Sequence, residues 1–338
     1  MSIQLTEVSE ALATLVESTA PSVVRVEAEG PPVSGTSWGD GTVVTVAHAI
    51  ESDGPVTLTL ADGTQLSARL VGRDPRLDLA FLQLPEEHAD LIGARPAFAE
   101  SSPRTGHLVV TLGRGPRGLR SSLGIVGAVH ASPWRTRGGA EVSSDIDVDA
   151  TLHPTAAGGP LLDASGRLLG INTTGIRPGG ATLPVDTVDA ALALVRDKGS
   201  IRPGLLGVRV RTTPLPPDLA ATHGQHQGLL VLGTPRRGPA HKAGIESGDV
   251  ILRVADTPVH TLLDLRAALS TSGGQEVSVT LLRSGEVREC RVLVRDAPFG
   301  KGGRSRWGGH HKGGRHHRGH GGPWRRWRKA HARGRHRY

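Results

Sequence analysis

Short apolar runs, many of them β-branched and most of them bounded by Gly, Pro, Asn or Asp, make up much of this chain. That pattern predicts strands more than helices. The exception at the start is residues 3–19, where Leu5, Val8, Leu12, Leu15 and Val16 fall on one face at helical spacing and Pro21 supplies a stop. From Pro21 the pattern changes. Val23 to Val26 begins a strand, and Thr42 to Val46 is an apolar run behind a Gly-rich turn. Thr57 to Leu60 and Leu66 to Val71 read as a hairpin around Ala61-Asp62-Gly63. A second set of short strands, including His107 to Leu112 and Ser122 to Val129, lies within 96–135. The spacing predicts two small antiparallel barrels divided near 95–104, with a helix over 186–197 closing the part.

Asp145 to Thr174 is the stretch around which the rest is arranged. Gly158-Gly159 before Pro160 lets the backbone pass close to a neighbour or take a φ that a side chain forbids. The runs on either side read as buried strands that hold this turn. Pattern alone fits an ordinary tight turn equally well. Two upstream residues add chemistry. His48 follows the strand 42–46, and Asp78 heads the apolar run Leu79 to Leu82. A general base needs an orienting carboxylate and a nucleophile within reach, and His, Asp, then the 157 loop is a workable chain order. Each residue singly also fits the polar edge of a strand. Asp74, beside Pro75, reads as a turn residue, and Trp134 to Arg137 as an exposed loop.

A new apolar pattern starts at Arg202. Leu205-Leu206-Gly207-Val208 opens it, Gly228 to Val231 and Gly248-Asp249-Val250-Ile251 follow, and Leu262 to Leu269 forms a short apolar-faced helix. Gln275 to Leu282 and Glu289 to Val294 are the last strands.

The 157 stretch resembles the nucleophile loop of the trypsin-like proteases of the HtrA/Deg family. Their pattern runs D-A-x-x-x-P-G-N-S-G-G-P-L, then a turn, then G-x-N-T. Asp149-Ala150, Pro154, Gly158 to Leu161 and Gly170 to Thr173 match it, while Thr155-Ala156-Ala157 replaces G-N-S. The run from Asp78 resembles the family's D-L-A-V-L, and Gly180 to Val185 resembles the strand that walls the substrate pocket. Leu205 to Val208 resembles the carboxylate-binding loop of a PDZ domain, and residues 238–251 resemble that domain's S-P-A-x-x-A-G-L-x-x-G-D-V-I. The resemblance covers about residues 20–296.

It implies a mainly β fold class. An N-terminal helix (1–20) precedes a chymotrypsin-like double β-barrel (21–198), a PDZ domain (203–297) and a disordered basic tail (298–338). It makes His48 the general base and Asp78 its orienter. The nucleophile position falls on Ala157, which has no hydroxyl, and the oxyanion donors are the backbone N–H groups of Thr155 and Ala157. Leu205, Leu206, Gly207 and Val208 become the peptide-binding loop. The implied protein is a serine-protease homologue, inactive for want of its nucleophile, that binds unfolded polypeptides or protein C-termini in quality control or scaffolding. A homo-oligomer or an active paralogue would be further partners. The alternative is a working endopeptidase.

Charge changes the picture at one end. Residues 299–338 hold 13 Lys or Arg and no acid, so the remainder of a chain with net charge +8 carries −5. That segment, rich in Gly, His, Arg and Trp, cannot build a core. It reads as a solubilising extension, as a binder of nucleic acid or another anionic surface through residues 300–338, or as a loose divalent-metal trap. The imidazoles of His310, His311, His316, His317 and His320 would form the trap. No other cofactor is implied. Cys290 is the single cysteine, so no internal disulfide forms. No charged n-region with an apolar run opens the sequence, and the expected location is cytoplasmic.

Overall fold

The computed structural model describes residues 5–27 and 31–297. The tail, with its five named histidines and its nucleic-acid and metal readings, lies outside the described residues.

Helix α1 (Leu5–Thr19) buries Leu15 and lays Leu12 and Val16 against the core. Pro21 then forces a single 3₁₀ turn, Ala20–Ser22, instead of more helix. Six strands follow: β1 (Val23–Glu27), β2 (Val33–Gly39), β3 (Thr42–Val46), β4 (Val56–Thr59), β5 (Gln65–Asp74) and β6 (Leu79–Gln83). They close into a barrel in the order β1-β2-β3-β6-β5-β4, with β1 pairing β4. The second barrel uses β7 (Leu108–Gly115), β8 (Gly118–His130), β11 (Asp145–Val148), β12 (Pro160–Asp163), β13 (Leu168–Thr173) and β14 (Ala181–Pro184). Its order is β11-β14-β13-β12-β7-β8. Between β8 and β11 a small hairpin forms from β9 (Trp134–Arg135) and β10 (Glu141–Val142).

β-branched residues at alternate positions explain why these runs become strands. Val24, Val26, Val43, Leu58 and Leu82 fill the first barrel. A second cluster joins Trp38, Val44 and Phe81 of the first barrel to Leu112, Leu162, Ile171 and Leu183 of the second. The two barrels therefore share a core, and the helix α2 (Val185–Lys198) seals it with Val188, Ala191, Leu192 and Val195. Trp38 Nε1 donates to Asp189 on that helix at 2.7 Å. The fold class read from the sequence, two barrels and a mainly β chain, is the one observed.

The C-terminal part begins with β15 (Gly204–Leu205), which pairs with the final strand β22 (Arg295–Asp296). Its main sheet runs β16 (Arg209–Pro214), β17 (Gln227–Gly233), β18 (Val250–Val254), β20 (Glu276–Arg283), β21 (Glu286–Leu293), with β19 (Thr257–Pro258) beside β18. Short helices α3 (Pro217–His223), α4 (Pro239–Lys242) and α5 (Leu262–Ala268) cover it. Thr261 and Asp264 form a reciprocal capping box at the start of α5. β16 pairs only with β17 among the described strands and is an edge.

Trp134 to Arg137 was expected as a plain exposed loop and is not one. Arg135 reaches Asp264 on α5 at 3.2 Å, and Arg266 donates to the Arg137 carbonyl at 3.1 Å. Thr136 donates to the Arg76 carbonyl at 2.7 Å. Asp74, expected as a turn residue, is instead the last residue of β5, paired with Leu79, and is fully buried, its carboxylate taking the Arg76 guanidinium at 2.8 and 2.6 Å.

Candidate active site

His48 lies in the short turn Ala47–Ala49 that ends β3, and Asp78 immediately precedes β6, the strand paired with β3. Sheet pairing thus brings together two residues thirty positions apart in sequence. His48 Nδ1 is 2.8 Å from Asp78 Oδ2 and 3.0 Å from Oδ1. An ionised carboxylate only accepts, so Nδ1 carries the proton and the neutral ring keeps its lone pair on Nε2. The hydrogen bond to Asp78 raises the His48 pKa above its ordinary value, burial opposes this, and the charge of Asp78 adds to it.

Asp78 is itself over-determined. The His48 backbone N–H donates to Oδ1 at 2.9 Å, and Thr173 Oγ1, from β13 of the second barrel, donates to Oδ2 at 2.5 Å. The carboxylate is 4% exposed, and the residue holds a left-handed φ of 59°. Asp tolerates that region better than most residues. A side chain at Gly175 would collide with this carboxylate, so only glycine fits there. Sequence reasoning missed the role of Thr173. Its signal was present as the last residue of Gly170-Ile171-Asn172-Thr173.

Ala157 is 1% exposed and packs into the first barrel's core with Ala47 and Ala49, the neighbours of His48. Its carbonyl accepts the Ser34 N–H at 2.9 Å. Gly158 has φ +82°, and a Cβ there would enter the Ser34 carbonyl oxygen. The tight passage expected at Gly158 is therefore a real one, and glycine meets both demands.

The segment before Ala157 is a 3₁₀ turn, Pro154–Ala156. Within it both expected oxyanion donors are engaged inside the loop. Ala157 N–H points to the Pro154 carbonyl at 3.5 Å, and Thr155 N–H donates to His153 Nδ1 at 3.3 Å. Thr155 Oγ1 lies 3.1 Å from the same ring nitrogen. The Thr155 carbonyl accepts from Ser34 Oγ at 2.5 Å, and Ser34 Oγ accepts the Arg114 N–H at 2.7 Å. A β-branched residue at 155 fits because a 3₁₀ turn needs only ordinary right-handed φ.

Beside this loop a cavity of about 380 Å³ is lined by Ile146, Val148, Ala150, Leu152, Gly180 and Thr182 among others. Arg177 ties its two walls, reaching Asp145 at 2.6 Å, Asp147 at 2.5 Å and the Gly180 carbonyl at 2.9 Å. The cavity mixes these apolar side chains with the polar groups of Asp147 and Arg177, and it adjoins the strand 180–185 singled out as a pocket wall.

In the C-terminal part Leu205 is 38% exposed and Leu206 2%. The Leu206 carbonyl accepts the Ala240 N–H at 2.9 Å, and Gly207 has φ +74°. This loop leads directly into the edge strand β16, with α5 in contact across it. An extended peptide adding to that edge would meet both.

Residues 33–171 match the trypsin-like peptidase domain, and residues 204–294 match the PDZ domain. A probable periplasmic serine endoprotease, DegP-like, of Brucella suis is 32% identical over 273 residues, 78% of this chain and 52% of that protein. A probable periplasmic serine protease, do/HhoA-like, of Haemophilus influenzae is 32% identical over 267 residues, 75% of this chain and 56% of that protein. The chain spans about half the length of these relatives. Among solved structures, the HtrA-type protease AlgW with a tripeptide aligns at TM-score 0.58 and 28% identity, covering 85% of this chain and 97% of that one.

These relatives correct the cytoplasmic expectation, since both bacterial proteins are named periplasmic. That expectation rested on reading a leader pattern from residues alone. A leader is an address read by the export machinery and leaves no mark on the folded domains. The shared order of trypsin-like barrels and a PDZ domain, with relatives named DegP-like, makes this chain a member of the HtrA/Deg family.

Proposed function

We propose that this chain is a proteolytically silent HtrA/Deg homologue that holds unfolded or C-terminal peptides through its PDZ domain and its cleft. The observation that carries this reading is the methyl group of Ala157 where the family has its nucleophile, beside an assembled His48–Asp78 pair. Acyl transfer needs an attacking oxygen, a base and donors for the developing oxyanion. The base and its orienter are present, the oxygen is missing, and the donors face inward. Catalysis left without the nucleophile is roughly 10³–10⁴ over water in a related site, far below protease turnover. AlgW solved with a tripeptide and with a decapeptide supports peptide binding as the retained activity. The relatives named periplasmic support a periplasmic setting.

A working endopeptidase is the second reading, favoured by the intact His48–Asp78–Thr173 chain of hydrogen bonds. One experiment separates the two: casein cleavage by the chain as it stands, by Ala157→Ser, and by Ala157→Ser with His48→Ala. Silence of the first and His48-dependent cleavage by the second supports a scaffold disarmed at position 157. Cleavage by the unchanged chain that disappears with His48→Ala overturns the silent reading. Retained peptide binding is checked by fluorescence polarisation of a C-terminal peptide with the whole protein.

A further inference from the structure

The geometry points to His153 as a positioning residue that keeps the oxyanion loop shut. This rests on reading the 157 loop as a former nucleophile loop. Three bonds shape that loop, and they play different parts. Ser34 Oγ grips the Thr155 carbonyl at 2.5 Å from the opposite barrel, and the Thr155 backbone packs closely on Gly113. That side of Thr155 is fixed by buried neighbours, since Thr155 is 8% exposed and Ser34 0%. The preceding peptide plane, Pro154 to Thr155, is held differently. Its carbonyl accepts the Ala157 N–H at a long 3.5 Å, and its N–H goes to the His153 side chain at 3.3 Å. Pro154 is exposed.

A peptide plane turns about two soft dihedrals, here ψ of 154 and φ of 155, and can do so with the Ser34 bond intact. Turning it would carry the Pro154 carbonyl out and bring the Thr155 N–H beside the Ala157 N–H, two donors converging on one point. The Ala157 bond, at 3.5 Å, lies at the outer limit of a hydrogen bond and resists this less than the 3.3 Å bond to His153. The His153 ring supplies the remaining hold. Its Nδ1 accepts the Thr155 N–H and lies 3.1 Å from the Thr155 hydroxyl, so a single ring nitrogen faces both polar groups of that residue. A second obstacle to catalysis therefore stands behind the missing hydroxyl, and it lies in a side chain rather than in the backbone.

Amide hydrogen exchange by NMR tests this on the full chain as it exists, with no activity required. In His153→Ala the Thr155 amide is expected to lose protection about tenfold, which corresponds to about 1.4 kcal/mol. In His153→Asn, whose side-chain oxygen can accept the same N–H, protection is expected to return. Amides in β3 and β13 serve as the control that the barrels are folded. Unchanged Thr155 protection in His153→Ala, with the barrels intact, overturns the assignment, as does a loss that His153→Asn fails to restore. In the Ala157→Ser protein, cleavage is expected to rise about tenfold on adding His153→Ala and to stay flat on adding His153→Asn. If Ala157→Ser is inert with either residue at 153, the nucleophile-loop reading fails while the exchange result still decides the role of His153.

Discussion

Asp78 gathers three donors on one carboxylate, and this fixes how His48 responds to pH. The His48 pKa is raised above its ordinary value of about 6.5, first by the hydrogen bond to Asp78. A raised histidine stabilises the fold below its unfolded pKa, and the contribution is lost as pH rises through the folded value. The stability gap between the chain and Asp78→Asn should therefore be widest just below about pH 6.5 and narrow at higher pH, read by denaturant titration at several pH values. A gap that does not change with pH contradicts this. NMR titration of the His48 ring should show its midpoint falling in Asp78→Asn. His48, Asp78 and Ala157 were legible because each sits in a run whose neighbours carry the pattern. Ser34 and His153 were not. Ser34 meets Thr155 across 121 positions, and His153 acts through a side-chain bond to the backbone two residues on, which no periodicity announces.

Strands were the readable elements, since alternation and turn residues mark them directly, and Thr42 to Val46 was placed to the residue. The polar ties between elements left no such trace. Arg114, inside β7, is 7% exposed and donates to the carbonyls of Val23 and Ala20 at 2.6 and 2.7 Å. It fastens the 3₁₀ turn after α1 and the start of β1 to the second barrel, and burial lowers its pKa. In the PDZ domain Asp249 plays a similar part for β18. Burial pushes its carboxyl up, but the Arg283 fork at 2.7 and 2.8 Å and the Glu246 N–H outweigh it and leave the pKa lowered. A lowered carboxylate stabilises above its unfolded pKa of about 3.9, and that share disappears as pH falls through the folded value. Asp249→Asn should destabilise the PDZ domain at neutral pH, because Asp249 is 2% exposed and its charge is lost to the Arg283 fork, which keeps only the Gly244 carbonyl and Glu246. Urea unfolding at pH 7 and pH 3 checks this: the difference between the two proteins should be larger at the first than at the second.

Across the whole molecule the cleft is a reciprocal arrangement. Thr173 of the second barrel holds Asp78 of the first, and Ser34 of the first holds Thr155 of the second. The barrels could be read separately from the sequence, but this exchange could not, because it depends on how two closed sheets face each other. The contact with the PDZ domain is a different case. The Arg135–Asp264 pair is partly exposed, with side chains 44% and 23% accessible, and such pairs contribute about 0.5 kcal/mol. Gly139, at φ +85°, lies directly against the backbone of Arg266 and Ala267. Arg135→Ala should therefore leave the PDZ domain docked, while Gly139→Leu should release it, read by small-angle scattering of the full chain. The shut 3₁₀ turn at 154–156 has a genetic consequence as well. Alanine and serine codons differ by a single base, so a hydroxyl at position 157 is always one mutation away. Recovering glycine from threonine at 155 takes more than one, and His153 must also let go. Under the proposed reading a chance revertant at 157 would still meet an occupied oxyanion hole, so it would regain only a fraction of a protease's rate until position 153 changed as well.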